Sequence, residues 1–134
     1  MTEPNEGSLL LVTEQDVVAC RQQVRRLTQQ LRFSLVDQTK FVTAASELSR
    51  NTIVYGLGGA MRWQILTQGV RTGLRLAFED RGPGIPDLQL ALTDGWTSGS
   101  GLGMGLSGSK RLVNEFEIRS VVGEGTCVTI TRWK

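Results

Sequence analysis

Three short stretches of this 134-residue sequence combine residue types that are suited to binding or catalysis. The first holds Glu47 and Asn51, which lie four positions apart in a helical pattern. At about 100° per residue, this spacing places a carboxylate and an amide on one flank of a helix, beside its apolar stripe. The pair could face a cleft, whereas an ordinary solvated helix edge is the alternative interpretation.

The second stretch, Asp80-Arg-Gly-Pro-Gly84, directly follows an apolar strand pattern. A turn rich in glycine and proline would explain it without any ligand. Its position favours binding, because a carboxylate at the end of a buried strand can accept a hydrogen bond from a purine amino group. Gly82 and Gly84 would let the backbone approach such a ligand. Thr126, on the last predicted strand, could contribute a hydroxyl or hold a bridging water beside Asp80.

The third stretch is the glycine run Gly99-Ser-Gly-Leu-Gly-Met-Gly-Leu106, which leads into a predicted helix. Such a run can wrap phosphates with backbone N–H groups and place them at a helix N-terminus, where partial positive charge favours anions. A flexible linker is the alternative, but a linker would not continue directly into an amphipathic helix. The run therefore favours phosphate binding.

Other phosphate-binding motifs do not fit these residues. No glycine directly precedes Lys110, so the GxxxxGK[ST] motif of P-loops cannot be placed. Gly103-x-Gly105-x-x-Gly108 matches the dinucleotide fingerprint in its letters, but it follows a Gly/Ser loop and not a strand. The HRD catalytic loop of protein kinases needs a histidine, which the sequence lacks.

The composition excludes further classes of chemistry. Without histidine, the chain cannot form Ser-His-Asp or Cys-His nucleophile pairs, histidine zinc sites or an internal histidine phosphorelay. Proton transfer would fall to carboxylates or lysine. Fifteen Lys plus Arg against thirteen Asp plus Glu leave a net charge of only +2, so nucleic acid is not the expected partner.

The cysteines and the apolar runs indicate the compartment. Cys20 and Cys127 lie far apart and form no CxxC motif, so we expect two small core residues of a reduced, cytoplasmic protein, with a single disulfide as the less favoured alternative. The longest apolar run, Leu9 to Val12, is far below the roughly 20 residues that span a bilayer, so we expect no membrane segment. Residues 1–8 are polar and predict a loose tail before one domain over residues 9–134.

Helical and strand patterns must position the three stretches. Thr13-Glu-Gln-Asp16 resembles a capping box, and the apolar spacing after it predicts a helix over Glu14–Phe33. A second helix, capped by Asp37, would carry the carboxylate and amide pair and end at the glycines that begin at Gly56. We expect these two helices to pack side by side, antiparallel.

The hydrophobic period then changes to two, which predicts strands. Met61–Ile65 and Leu74–Phe78 form one predicted pair, joined by a hairpin loop over Gly69–Gly73. A helix over about Leu106–Phe116 and a second strand pair, Ile118–Val122 with Thr126–Arg132, complete the chain. This order predicts the α+β class, as a two-layer sandwich whose antiparallel or mixed sheet is covered on one face by helices.

In order and spacing, the stretches resemble the ATP-binding boxes of the GHKL (Bergerat-fold) ATPase and kinase family. The resemblance rests on Glu47-x-x-x-Asn51, Asp80-x-Gly-x-Gly84, Gly101-x-Gly-x-Gly105 and Gly125-Thr126. Each box is weak by itself, but the ordered set is specific and extends from the first helix to the last strand. The short length and the stretches Ala45–Asn51 and Gly101–Glu117 look most like the switch serine/threonine kinases of the bacterial stressosome. Anti-sigma factor kinases are the next most similar.

The resemblance implies ATP and Mg²⁺ as ligands and a role for each matching residue. Asn51 would coordinate Mg²⁺, while Glu47, as catalytic base, would orient or deprotonate the attacking hydroxyl. Asp80 would bind adenine in a pocket shaped by Gly82 and Gly84, with Thr126 beside it. The glycine run would close over the phosphates through Gly101, Leu102, Gly103, Met104 and Gly105.

The resemblance also implies a mobile ATP lid over about Thr93–Gly105, which ends with the glycine run. Trp96 lies within this lid. We therefore expect the fluorescence of Trp96 to change when Mg·ATP binds. Gly95 to Met104 contain no Arg or Lys, where anti-sigma factor kinases are expected to carry a basic residue near the γ-phosphate. Mg²⁺, backbone N–H groups or Lys110 would then meet the transition-state charge. A lid without basic residues fits the switch kinases better.

The resemblance also implies protein partners. The phosphoryl acceptor would be a Ser or Thr of a STAS-domain scaffold protein of the stressosome, and the released kinase would activate a PP2C-type phosphatase of the RsbU type. One alternative is an anti-sigma factor kinase that sequesters a sigma factor and phosphorylates an anti-anti-sigma protein. Another is a nucleotide-gated binding module with little turnover. Both a monomer and a homodimer remain open.

Overall fold

The computed structural model describes residues 4–87, 91–92 and 105–134. Along the chain, the helices and strands are β1 (Glu6–Leu11), α1 (Glu14–Gln30), α2 (Leu35–Val54), β2 (Gly59–Gln68), β3 (Arg71–Asp80), α3 (Gly105–Arg111), β4 (Glu115–Val121) and β5 (Gly125–Trp133). None of the helices within these residues is long and apolar enough to cross a membrane.

The strands form a five-stranded sheet in the order β1-β2-β3-β5-β4, and every neighbouring pair is antiparallel. The register aligns apolar residues on one face, since Met61 lies opposite Phe78, and Phe78 lies opposite Val128. Helix α2 contacts β1, β2 and β3, and α1 contacts β1. The buried core therefore lies between this face and the helices, and the predicted α+β sandwich is confirmed.

Strand β1 departs from the expected polar tail over residues 1–8. Residues 6–8 pair with Arg62–Gln64 of β2, and Leu9 lies opposite Met61. A strand at the sheet edge can keep one side polar, which explains why the composition of this segment resembled a tail. Gly7 lies so close to the Trp63 indole that no Cβ would fit there.

The helix boundaries also differ from the predicted ones. The N-cap of α2 is Ser34, whose Oγ accepts the N–H of Asp37 at 3.1 Å, so the expectation that Asp37 itself caps the helix is wrong. Helix α1 ends at Gln30, before Arg32 with its φ of +62°. Helix α3 ends at Arg111 because the chain turns there to pair β4 with β5, which shortens the helix predicted to reach Phe116.

Asp37 instead joins α2 to the end of β5. Arg132 Nη2 donates to Asp37 Oδ1 at 2.6 Å, and Arg132 Nη1 donates to the carbonyl of Leu112 at 2.8 Å. The Arg132 side chain is 14% exposed and that of Asp37 is 31% exposed. The hydrogen bond from Arg132 holds the pKa of the Asp37 carboxyl below its ordinary value.

Replacing Asp37 by asparagine is expected to lower the free energy of unfolding at pH 7 by roughly 1–2 kcal/mol, because a charge-assisted hydrogen bond is lost. A carboxyl with a lowered pKa stabilises the fold above its unfolded-state value of 3.8, and this contribution disappears as the pH falls through the lower folded value. Urea unfolding should therefore show a larger difference from wild type at pH 7 than at pH 3. Glu79→Gln, in the exposed pair with Arg62, is the control and should cost less than about 0.5 kcal/mol. An equal loss at both pH values would contradict this account.

Both cysteines have free thiols, as expected. Cys20 is fully buried, and burial raises the pKa of its thiol to about 12. Cys127 is half-buried, and burial raises the pKa of its thiol as well. A thiol that stays protonated at neutral pH is a poor nucleophile, so Cys20 has a packing role.

Candidate functional site

Asp80 is the last residue of β3, and its carboxylate organises the loop and strand around it. Its Oδ1 accepts the backbone N–H of Gly82 at 3.0 Å and that of Thr126 at 3.1 Å. The other oxygen, Oδ2, accepts no hydrogen bond from the described residues. Two backbone donors thus fix the carboxylate while one of its oxygens is left to accept from a ligand.

Thr126 lies beside Asp80 as predicted, but its contacts are more specific than the sequence suggested. Its backbone N–H, and not its hydroxyl, donates to the Asp80 carboxylate. The hydroxyl lies 2.7 Å from Ser120 Oγ on β4, and this Ser120 oxygen also accepts the N–H of Ile85 at 2.7 Å. Ser120 was missed by sequence reasoning, although it pairs with Thr126 in the register of β4 and β5.

Glycines allow neighbouring backbone segments to lie close to Asp80 and to one another. A Cβ on Gly56 would overlap the Asp80 carboxylate, and a Cβ on Gly82 would overlap the backbone of Gly56. Gly84 has a φ of +78° and lies against the Val121 carbonyl, which only glycine accommodates without strain. That Gly82 and Gly84 shape a nucleotide pocket stays a prediction, and Gly56, which sequence reasoning did not assign to the site, lies beside them.

Gly56→Ala is expected to weaken nucleotide binding at least tenfold, because the new methyl group must push the Asp80 side chain out of position. Fluorescence titration with a labelled adenine nucleotide would measure this loss. The control is Gly69→Asn in the turn between β2 and β3, where a Cβ meets nothing within 4 Å and asparagine tolerates the φ of +63°. Wild-type affinity in the Gly56 variant would show that Asp80 is not a nucleotide ligand.

Glu47 and Asn51 lie in the C-terminal half of α2, on one side of the helix as predicted. Glu47 is only 8% exposed, and its buried Oε2 has no hydrogen-bond partner within the described part of the chain. Asn51 is half-buried, and its side chain makes no hydrogen bond to another described residue. A buried carboxylate without a donor is costly, so the solvated helix edge is not the arrangement found here.

The environment of Glu47 suits proton transfer. Burial raises the pKa of its carboxyl, and the positive charge of Arg50 partly opposes this shift. A raised pKa makes the carboxylate a stronger base than an exposed glutamate at neutral pH. Glu47 therefore has the properties expected of a general base.

The end of α2 brings the first two stretches together. The carbonyl of Asn51 accepts the N–H of Tyr55 at 2.9 Å and that of Gly56 at 3.2 Å, and Gly56 in turn lies against Asp80. The end of α2 thus connects the backbone of Asn51 to Asp80 through Gly56. The side-chain oxygen of Asn51 is a hard ligand of the kind that Mg²⁺ prefers. Nucleotide phosphates and waters would supply most of the other ligands of the ion. The described residues contain no cluster of three His, Cys, Asp or Glu side chains for a metal held by protein ligands alone.

The third stretch is only partly described. Gly105 is the first residue of α3, and this helix packs against α2. Lys110 is exposed in its last turn. The remaining predicted phosphate-binding residues, Gly101, Leu102, Gly103 and Met104, lie outside the described residues, as does Trp96 of the expected lid.

Comparisons with known proteins agree with this arrangement. The family model described as histidine kinase-, DNA gyrase B-, and HSP90-like ATPase matches residues 36–134. Serine/threonine-protein kinase RsbT of Bacillus subtilis (strain 168) is 40% identical over 129 residues, which cover 96% of this chain and 97% of RsbT.

A solved structure supports the fold. The RsbU and RsbW domains of Rv1364c from Mycobacterium tuberculosis match with a TM-score of 0.62 and 20% sequence identity over 97% of this chain. The present chain spans 32% of that longer one. The resemblance expected from the ordered boxes is thereby confirmed: this chain belongs to the histidine kinase-, DNA gyrase B-, and HSP90-like (GHKL) ATPase family, within its branch of RsbT-like serine/threonine kinases.

Proposed function

We propose that this kinase transfers the γ-phosphoryl group of Mg·ATP to a Ser or Thr of a STAS-domain scaffold protein of the stressosome, in the cytoplasm. Once released from the phosphorylated scaffold, it would bind and activate a PP2C-type phosphatase. The observation that carries the transfer step is that Glu47 is buried without a hydrogen-bond partner among the described residues, on the helix that leads to Gly56, which lies against Asp80. The extent of the likeness to RsbT, which is a serine/threonine-protein kinase, supports the choice of acceptor side chain.

Each described site residue has a role in this proposal. The free oxygen of Asp80 accepts from the adenine amino group, and Gly82, Gly84 and Thr126 hold the pocket in shape. Asn51 would hold Mg²⁺ through its side-chain oxygen, and the bound ion would neutralise part of the phosphate charge. The glycine run from Gly101 to Gly105 contacts the phosphates in this proposal, which keeps the sequence prediction for that segment.

Glu47 acts on the acceptor. Its carboxylate takes the proton of the Ser or Thr hydroxyl as the hydroxyl oxygen bonds to the γ-phosphorus. The bond between the γ-phosphorus and the bridging oxygen breaks, and ADP leaves with that oxygen. Lys110 is exposed on α3, as a solvated lysine would be, so in this proposal bound Mg²⁺ and backbone N–H groups would supply the positive charge near the transferred phosphoryl group.

Incubation with [γ-³²P]ATP and a panel of STAS-domain proteins tests the proposal. We expect one or more of them to acquire acid-stable phosphoserine or phosphothreonine, mapped to a single side chain by mass spectrometry. Labelling that requires added Mg²⁺ would support the proposal further. If the wild-type protein labels no member of the panel, the transfer function is wrong.

Co-purification separates the proposed pathway from the alternatives. A STAS-domain protein retained with ADP and released after phosphorylation, followed by retention of a PP2C-type phosphatase, is the expected result. A sigma factor in the complex would instead assign the chain to the anti-sigma function. Stable, ATP-dependent complexes without phosphoryl transfer would indicate a nucleotide-gated binding module.

A further inference from the structure

A row of polar side chains crosses three neighbouring strands at the end of the sheet that carries Asp80. In the preceding row, Phe78 of β3 lies opposite Val128 of β5, which lies opposite Ile118 of β4, and these apolar side chains belong to the core or pack against it. Two positions further toward this end, on the same face, the three strands carry Asp80, Thr126 and Ser120. The apolar pattern thus stops at the same place on all three strands. A polar residue at a core-facing position breaks the pattern, and such breaks are expected at functional sites.

The hydroxyl of Ser120 joins two segments of the chain to β4. Its oxygen accepts the N–H of Ile85 at 2.7 Å and lies 2.7 Å from Thr126 Oγ1, and its proton can go to the Gly125 carbonyl at 3.3 Å. A hydroxyl has one proton and two lone pairs. When the Thr126 hydroxyl donates to Ser120, all three contacts are satisfied at once. One side chain therefore holds the start of β5 and the residue that follows Gly84.

Three hydrogen bonds hold the Asp80 loop, residues 80–85, against the hairpin of β4 and β5. The N–H groups of Thr126 and Gly123 donate to Asp80 Oδ1 at 3.1 Å and to the Pro83 carbonyl at 2.8 Å, and Ser120 Oγ accepts from Ile85. The hairpin contributes backbone groups to the first two of these bonds and a side chain to the third. Ser120 is therefore the position where a substitution can release the end of the loop without changing the backbone donors.

We propose that Ser120 is a positioning residue of the nucleotide site. It acts through two neighbours: Thr126, whose N–H fixes the Asp80 carboxylate, and Ile85, which ends the Asp80 loop. With both held, Asp80 Oδ2 stays in one place before the nucleotide arrives, and less ordering has to be paid for on binding. This inference rests on the proposed role of Asp80 in binding the base, and it adds the residue that fixes the geometry of that site.

A purely structural role for Ser120 would give a different result. Strand β4 pairs with β5 from Glu115 to Val121 through the backbone, so this pairing does not depend on the Ser120 hydroxyl. Ser120 is half-buried and close to the end of the strand, so replacing it by alanine leaves only a small space. We expect Ser120→Ala to keep the fold and to change the affinity for nucleotide.

Equilibrium dialysis with radiolabelled ADP measures this change. Ser120→Ala should raise the Kd about tenfold, since a neutral hydrogen bond is worth a factor of roughly two to ten and two such bonds are lost. Ser120→Thr keeps a hydroxyl and should bind within about twofold of wild type. Ser8→Ala removes a hydroxyl from an exposed position on β1 and is the control. With an acceptor that the wild type labels, Ser120→Ala should raise KM for ATP by the same factor with little change in kcat.

Hydrogen exchange of the Ile85 amide, followed by NMR without any nucleotide, measures the loop contact directly. We expect this amide to exchange at least tenfold faster in Ser120→Ala and at the wild-type rate in Ser8→Ala. Across the Ser120 variants, the loss of affinity for ADP should follow the loss of protection at Ile85. This comparison also covers Ser120→Thr if its methyl group disturbs the contact.

The two measurements separate this inference from the proposed function. Faster exchange at Ile85 with unchanged affinity for ADP would show that Ser120 is only structural and would overturn the positioning role. Weaker ADP binding with Ile85 still protected would overturn it as well. Either result leaves the nucleotide site of the wild type intact. If the wild-type protein binds neither ADP nor ATP, the proposed function is wrong, and the positioning role is refuted with it.

Discussion

Asp80→Asn is expected to abolish nucleotide binding, raising the Kd by roughly 100-fold or more, while the protein stays folded. Asparagine can keep an oxygen toward the N–H groups of Gly82 and Thr126, so the local fold survives. Its amide nitrogen then occupies the position of Oδ2 and presents donors to the amino group of adenine. Sites built to pair with one polar group discriminate by factors of this size when that pairing is lost.

Equilibrium dialysis with radiolabelled ADP measures this effect, and circular dichroism reports whether the fold is retained. Glu124→Gln removes the same charge from the exposed turn before β5 and serves as the matched control. Its affinity should equal that of the wild type. If Asp80→Asn binds as tightly as the control, the adenine pocket has been assigned to the wrong residues.

Glu47→Ala is expected to preserve nucleotide binding and reduce phosphoryl transfer by roughly 100-fold to 10,000-fold, the usual contribution of a positioned general base. Glu47→Gln keeps the shape of the side chain and should lose activity to a similar degree, which separates lost basicity from altered packing. Single-turnover labelling of a STAS-domain acceptor at saturating ATP measures the rate. Glu14→Gln, at the exposed start of α1, should transfer at the wild-type rate.

The pH dependence gives the same residue a second signature. Burial raises the pKa of Glu47, so the transfer rate should fall on the acidic side at a higher pH than the ordinary glutamate value of 4.5 would give. A carboxyl with a raised folded-state pKa stabilises the fold fully only below its unfolded value, and this stability is lost as the pH rises through the folded value. Glu47→Gln should therefore be more resistant to urea than wild type at pH 7. Equal stability at pH 7 would contradict the assignment of a buried carboxylate without a hydrogen-bond donor.

The arrangement around Asp80 was predictable because it depends on local patterns. Period-two alternation located both hairpins, and antiparallel pairing then places the end of β3 beside the start of β5, so that Asp80 meets Thr126. For Gly56, the sequence predicts only the end of a helix. Its contact with the Asp80 carboxylate depends on how the chain leaves α2, which no spacing rule supplies.

Other features depended on tertiary contacts that compete with local preference. The residues after Arg111 continue a helical pattern, but β4 gains a full ladder of hydrogen bonds with β5, and the pairing prevails. Polar residues 6–8 become ordered because β2 offers them an edge.

Isothermal titration calorimetry of the wild-type protein with Mg·ADP tests the central claim, a single nucleotide site formed by the end of α2 and the end of β3. We predict a saturable heat with one nucleotide bound per chain, suppressed by prior addition of ATP and weakened when Mg²⁺ is removed. The absence of any heat at millimolar nucleotide and Mg²⁺ would contradict the site and, with it, the proposed function.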